Sequence, residues 1–220
     1  MMKFVSAAIC SALLAAPALA EEATGPSFDC ARASTEAETA ICESPSLGWY
    51  DRQLARAWKI ALKAAGKAGE SSLKASQAAF LKDRDACVKS DNVYGCMSDA
   101  YLGRIGELAG AGSDGKFWAA SFAGETGGAD VVRYPDGKVA LSISTIGGGD
   151  HTCAFETENA AIDARDVIHW SEKPDEMYDD ACTITGSLSR TALTITAEGG
   201  ACTYYCGVRA ELSGTFPRRK

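Results

Sequence analysis

The sequence predicts an α+β protein in which a disulfide-bonded N-terminal helical bundle or hairpin is followed by an antiparallel β-sandwich or barrel domain. Three observations predict it. The apolar period changes from helical to two near residue 110. A turn-rich stretch, AGAGSDG at residues 109–115, sits where the period changes. The cysteines beyond the N-terminal apolar stretch divide evenly across it, as separate disulfide sets would. The expected division is a signal peptide over 1–20, a helical domain over 21–109, a linker over 110–115 and a β domain over 116–220.

At the N-terminus, Lys3 supplies a basic start and residues 4–16 an apolar stretch too short to span a bilayer comfortably. Ala18-Leu19-Ala20 then gives a small-x-small cleavage site, so residues 1–20 read as a secretory signal peptide. Cys10 lies within the apolar stretch after Ala8-Ile9, with no small residue before it as lipid attachment would need. The mature chain is therefore expected to be periplasmic and soluble, with no membrane anchor after cleavage. Its net charge is one unit more negative than the −7 of the whole chain, because Lys3 is lost with the leader. That acidity argues against nucleic acid or an anionic membrane surface as partner and leaves a basic macromolecule.

In the helical half, Leu54, Trp58, Ala61 and Ala65 recur at steps of three and four. So do Leu73, Gln77, Phe80, Arg84 and Cys87, and then Met97, Tyr101, Ile105 and Leu108. Each set is one buried stripe of an amphipathic helix. Gly66 and Gly69 separate the first helix from the second. Ser71-Ser72 are placed to cap the second and Asp91-Asn92 the third, and a short helix over Thr35–Cys42 takes Ser34 as its cap. In the second half, FWAASF, VVRY, KVALSIS, TCAFET, DVIHWS, ACTITGSL, TALTITA and VRAELSGTF are short runs rich in Val, Ile, Thr and aromatics. Pro-Asp-Gly, Gly-Gly-Gly-Asp and Glu-Gly-Gly separate them, as turns separate antiparallel strands.

Eight cysteines follow the leader: Cys30, Cys42, Cys87 and Cys96, then Cys153, Cys182, Cys202 and Cys206. In an oxidising compartment an even set reads as disulfides, and three pairings stay open within each set of four. Zinc would call for paired C-x-x-C spacing, which is missing, and His151 and His169 are not spaced as ligands. No metal and no cofactor is expected.

Few residues look catalytic. Asp150 and His151 are adjacent, and neighbouring strand residues point to opposite faces, so they do not make an acid–histidine pair. His169 alternates as a strand residue. No G-x-S-x-G elbow, phosphate loop or H-E-x-x-H occurs. The residues set aside for partner contact are Asp150, His151 and Thr152 in the loop from Gly147, and Arg133 and Lys138 on either side of YPDG. Asp175 and Glu176 belong to an acidic cluster with Glu172, Asp179 and Asp180 that could steer a basic partner. Tyr204, Tyr205 and Trp118 would suit glycan binding if exposed, but are expected in the core near Cys202 and Cys206.

The segments DCARASTEAETAIC, SPSLGWYDRQLARAWKIAL, LKASQAAFLKDRDAC and GCMSDAYLGRIGEL together resemble the LprI-type N-terminal domain of secreted bacterial proteins. The shared pattern is a Cys before a Glu-bearing turn and Ile-Cys, then Leu-x-x-x-Asp-x-x-Leu. Gln-x-x-(Trp/Phe)-Leu-x-x-Arg-Asp-x-Cys and Cys-x-x-x-x-Tyr-x-x-Arg-Ile-x-x-Leu follow, across residues 29–108. Phe80 stands where tryptophan is common and keeps the site aromatic. The second half is similar, more loosely, to small disulfide-bonded β-barrel inhibitors of c-type lysozyme. The resemblance implies an extracytoplasmic, non-catalytic inhibitor of lysozyme or a related peptidoglycan hydrolase, which protects the cell wall. The alternative is an envelope binding or scaffold module that recognises glycan or another envelope protein. A wall hydrolase is the third reading, since paired carboxylates leave no sequence signature.

Overall fold

The computed structural model describes residues 25–110, 116–172 and 180–219. The leader over 1–20, most of the 110–115 linker, and Asp175 and Glu176 lie outside the described residues.

Helix α1 (Glu36–Glu43) starts at a reciprocal cap. Thr35 Oγ1 accepts the N–H of Glu38 at 3.1 Å, and the Glu38 carboxylate accepts the N–H of Thr35 at 3.1 Å. The cap is therefore Thr35 rather than Ser34, whose N–H joins the same carboxylate at 2.7 Å. Helix α2 (Pro45–Ala86) is capped by Ser44 and begins with Pro45, whose missing N–H costs nothing at that position. Gly66 interrupts α2 at φ 57° and ψ −169°, which divides it into two arms. That break falls before Ser71-Ser72, which lie inside the second arm and cap nothing; Gly69 also stays helical. Helix α3 (Val93–Gly110) starts where expected, with Asn92 Oδ1 accepting the N–H of Gly95 at 2.9 Å.

Leu54, Ala61, Phe80, Arg84, Cys87, Met97, Tyr101, Ile105 and Leu108 of the expected stripes are buried in one core, which Trp49 and Ala57 join, whereas Trp58, Ala65, Leu73 and Gln77 are only half-buried. Polar residues of the signature segments run through it. Tyr101 donates to Asp51 Oδ1 at 3.0 Å, and Arg84 donates to the Tyr101 hydroxyl at 3.3 Å. Arg104 donates to Gln77 Oε1 at 3.0 Å and to Ser76 Oγ at 2.8 Å. These side chains tie the two arms of α2 to α3, and a buried polar group satisfied in this way specifies one arrangement.

The second half is one eight-stranded antiparallel meander: β1 (Trp118–Gly124), β2 (Gly127–Arg133), β3 (Lys138–Ile146), β4 (Thr152–Ile162), β5 (Val167–Ser171), β6 (Thr183–Leu188), β7 (Ala192–Glu198) and β8 (Gly214–Pro217), paired in that order. The end of the meander returns to its start through a bridge between Phe122 and Arg218 and through the N–H of Arg219 on Ser121 O at 2.9 Å. Of the two expected architectures the sheet is thus a near-closed up-and-down barrel. The last strand is shorter than VRAELSGTF, because only Gly214–Pro217 pairs with β7.

Strands β2 and β3 are buried on both faces. Val131, Val139 and Leu141 face the barrel interior, whereas Val132, Tyr134 and Ala140 join the core of the helices. Trp49 Nε1 donates to Thr157 O at 3.4 Å, Arg52 pairs with Glu158 at 2.5 Å, and Arg219 pairs with Asp99 at 2.9 Å. The helical layer therefore packs on the outer face of the early strands. Four disulfides close within the halves: Cys30–Cys42, Cys87–Cys96, Cys153–Cys206 and Cys182–Cys202. No helix among the described residues is long and apolar enough to cross a membrane, and no metal-ligating cluster occurs among them.

Candidate functional site

The loop between β3 and β4 is built on backbone that few residues adopt. Gly149 and Asp150 have φ of 78° and 62°, the signs a type I′ turn needs at its two central positions. Gly147 N–H closes the loop on His151 O at 2.7 Å. Asp150, His151 and Thr152 are all exposed.

A second loop lies against it. Cys153 is both bridged and disulfide-bonded to Cys206. Gly207 N–H donates to Thr152 O at 2.8 Å, and Gly148 N–H to Arg209 O at 3.3 Å. The backbones are so close that a Cβ on Gly147 would lie 2.2 Å from Arg209 O. The 207–210 turn carries Arg209 at φ 66°, a second left-handed non-glycine residue. Such backbone costs free energy and persists where the surroundings impose it. Below the turn, Tyr205 packs edge-on against Phe155 at 5.1 Å and donates to Glu172 at 2.8 Å. The 200–205 helical turn is also tied to the residue before β6 through Cys182–Cys202.

This paired loop carries exposed apolar side chains: Ile146 is 56 % exposed, Val208 70 % and Tyr204 73 %. Tyr204 thus departs from its expected place in the core. Its neighbour Tyr205 fills the aromatic cluster and the short helical turn sends Tyr204 outward. Trp118 is half-buried at the opposite end of the barrel.

The barrel is electrically polarised along its axis. Among the described residues, the connections at the paired-loop end carry Glu125, Asp150, Glu172, Asp180 and Glu211 against Arg209. The connections at the other end carry Arg133, Lys138, Arg165, Arg190 and Arg218 against Asp136, Asp163 and Asp166.

The expected contact residues therefore separate. Lys138 and Ile146 bound the nine residues of β3, so YPDG and the GGGD tip are about 27 Å apart. Arg133 pairs with Asp166 at 2.8 Å, and Lys138 is exposed beyond the turn. His169 is half-exposed, 3.6 Å from Asp163, whose carboxyl is held at about 2 by the N–H groups of Val167 and Arg165. Ile146, Val208 and Arg209 were not singled out in the sequence, where VRAELSGTF reads as continuous strand.

A second feature is a cleft of about 580 Å³ between the start of α3 and the outer face of β1–β3. Asp130 lies at its floor, held by the Tyr50 hydroxyl, and its Oδ1 is buried with no hydrogen-bond partner. Burial pushes this carboxyl above its ordinary value, although Tyr50 and Ser121 oppose the shift. Asp99 also lines the cleft but is engaged by Arg219.

Residues 30–112 match the family described as Lysozyme inhibitor LprI. Proteins named Lipoprotein LprI from Mycobacterium bovis and Mycobacterium tuberculosis are 30 % identical to this chain over 85 residues, which make up 39 % of this chain and 42 % of each relative. The chain thus spans about two-fifths of the length of these curated relatives. The matched region holds the helices and ends before β1, so the paired loop lies outside it. No solved structure matches the chain.

Proposed function

We propose that this protein is a non-catalytic, periplasmic inhibitor of lysozyme or a related peptidoglycan hydrolase, with the paired loop as its contact surface. The carrying observation is that a chain whose helical half matches a lysozyme-inhibitor family presents a disulfide-clamped loop pair at the acidic end of its barrel. Lysozyme-like enzymes are usually basic and cut glycan in an open cleft with two carboxylates. An acidic end steers the encounter. A loop already held by Cys153–Cys206 loses little freedom on docking, and Tyr204, Val208 and Ile146 supply apolar contact. Thr152 and His151 are the exposed donors suited to a carboxylate-lined cleft. Asp175 and Glu176 add to the acidic steering charge. In this reading residues 21–109 form the supporting helical unit, 110–115 the connection and 116–220 the inhibitory barrel.

The test is lysis of cell walls by a c-type lysozyme, followed by turbidity with and without the oxidised mature chain. Protection that saturates near one inhibitor per enzyme is expected. Unchanged lysis at large excess refutes inhibition of that lysozyme, and loss of turbidity without lysozyme indicates a wall hydrolase. A second reading, an envelope-binding module, is favoured by the unpaired Asp130 oxygen at the floor of the large cleft. Retention of the chain on purified peptidoglycan that is lost with Asp130→Asn, without protection from lysis, would select it.

A further inference from the structure

The end of the barrel opposite the paired loop is open and basic. Trp118, Phe122 and Leu188 line a hollow of about 310 Å³ there. Alternation puts Trp118 on the same face of β1 as Ala120 and Phe122, which are core residues of the barrel. The same alternation puts Arg133 on the face of Ala129 and Val131, so its side chain leaves β2 on the interior side, at the mouth. An arginine on the inner face of a small barrel is costly unless something receives its N–H groups.

Asp166 receives only part of it. Arg133 Nη1 donates to Asp166 Oδ1 at 2.8 Å, while its Nε is buried with no hydrogen-bond partner. Ser189 and Arg190, in the β6–β7 turn, and Arg218, after β8, complete the lining, and neither arginine forms an ion pair among the described residues. Three guanidinium groups with one carboxylate around an apolar hollow leave a positive opening in an acidic protein. Guanidinium groups suit carboxylate and phosphate oxygens because they present paired donors. The mouth of a β-barrel is a common ligand position, and the volume lies at the lower end of the range for small molecules.

We propose that this mouth binds a small oxyanion, a carboxylate or phosphate, whose apolar stem enters between Trp118 and Leu188 toward Phe122. The anionic head lies among Arg133, Arg190 and Arg218. The site is independent of the paired loop, being at the far end of the strands.

Isothermal titration of the full oxidised chain with hexanoate and, separately, with inorganic phosphate tests it. Hexanoate is expected to bind saturably and more tightly than phosphate. The double variant Arg190→Ala/Arg218→Ala should weaken binding roughly tenfold or more, since each lost charge-assisted bond carries an effect of that order. Both arginines are exposed, so the variant should keep the unliganded melting temperature. Phosphate binding alone, lost in the double variant, keeps the oxyanion site and removes the apolar stem. No saturable binding of either anion, or binding indifferent to the double variant, overturns the proposal. Lysis protection is not read in this experiment, so its outcome does not depend on the inhibitor reading.

Discussion

The two turns that bracket β3 belong to the same strand and meet different surroundings. The turn before it, Tyr134 to Gly137, is covered by α2. Tyr134 is fully buried and donates to Gln53 Oε1 at 3.0 Å, with the Arg56 guanidinium 3.7 Å over its ring. Arg56 also reaches Asp136 at 2.7 Å. The turn after it, Gly147 to His151, touches the 207–210 turn, and its central side chains stay in water. The first turn spends its side chains on joining the halves. The second keeps them available, and its shape is imposed from behind by a disulfide and by backbone contact. Turn chemistry in a sequence says that the chain reverses; what covers the reversal decides whether it serves the fold or a partner.

The largest expected effect tests the covered turn. Tyr134→Ala should destabilise the protein by about 3–5 kcal/mol, as truncation of a buried aromatic does. Tyr134→Phe keeps the ring and should cost about 1 kcal/mol for the lost hydrogen bond. Urea midpoints measured by tryptophan fluorescence report both, since Trp49 lies in the same core. A loss below about 1 kcal/mol for the alanine variant would mean that α2 does not hold this turn.

The exposed turn depends on its clamp. Cys153–Cys206 spans 53 residues, against 12 for Cys30–Cys42. In the chain-entropy account, replacing the first pair by serine should cost about 4 kcal/mol and the second about 3 kcal/mol. The sharper contrast is functional: only the first replacement should abolish protection from lysozyme at a temperature where both variants remain folded. Equal protection by both would separate the clamp from the contact surface.

These regions differ in how far the sequence exposed them. The stripes through Leu54, Phe80 and Tyr101 were legible because helical period is local. The eight strands were legible because Val, Ile and Thr alternate between turn residues. Ser34 and Ser71-Ser72 were misplaced as caps because the choice rests on the reciprocal hydrogen bonds between Thr35 and Glu38 and on the backbone angle of Gly66. GGGD was visible as a turn. Its partner was not, since the 207–210 turn meets it across more than fifty residues and VRAEL alternates as a strand would. The arginine-lined mouth was invisible for a related reason: Arg133, Arg190 and Arg218 converge only when the meander closes on itself.

A smaller effect probes the contact between the two loops. Gly147→Ala places a methyl group 2.2 Å from Arg209 O, so one backbone must move. Overpacking of this kind costs about 1–3 kcal/mol. Gly148 has open space at the same position, so Gly148→Ala should cost less. If the two substitutions destabilise equally by thermal melting, the loops are not packed as described.

The smallest expected effect on stability carries the most about function. Asp150 holds a left-handed backbone that asparagine also tolerates and alanine does not. Asp150→Asn should therefore leave stability within about 0.5 kcal/mol, whereas Asp150→Ala should cost about 1 kcal/mol through the backbone alone. The asparagine variant removes charge and keeps shape. If the acidic end steers the partner, Asp150→Asn slows association with lysozyme at low salt and loses that deficit at high salt, with dissociation nearly unchanged. If the carboxylate instead makes a direct contact, dissociation quickens at every salt concentration. Surface plasmon resonance at two ionic strengths separates the outcomes. Rates unchanged in both would leave Asp150 as a residue that shapes the turn, and the contact would then fall to Ile146, Tyr204 and Val208.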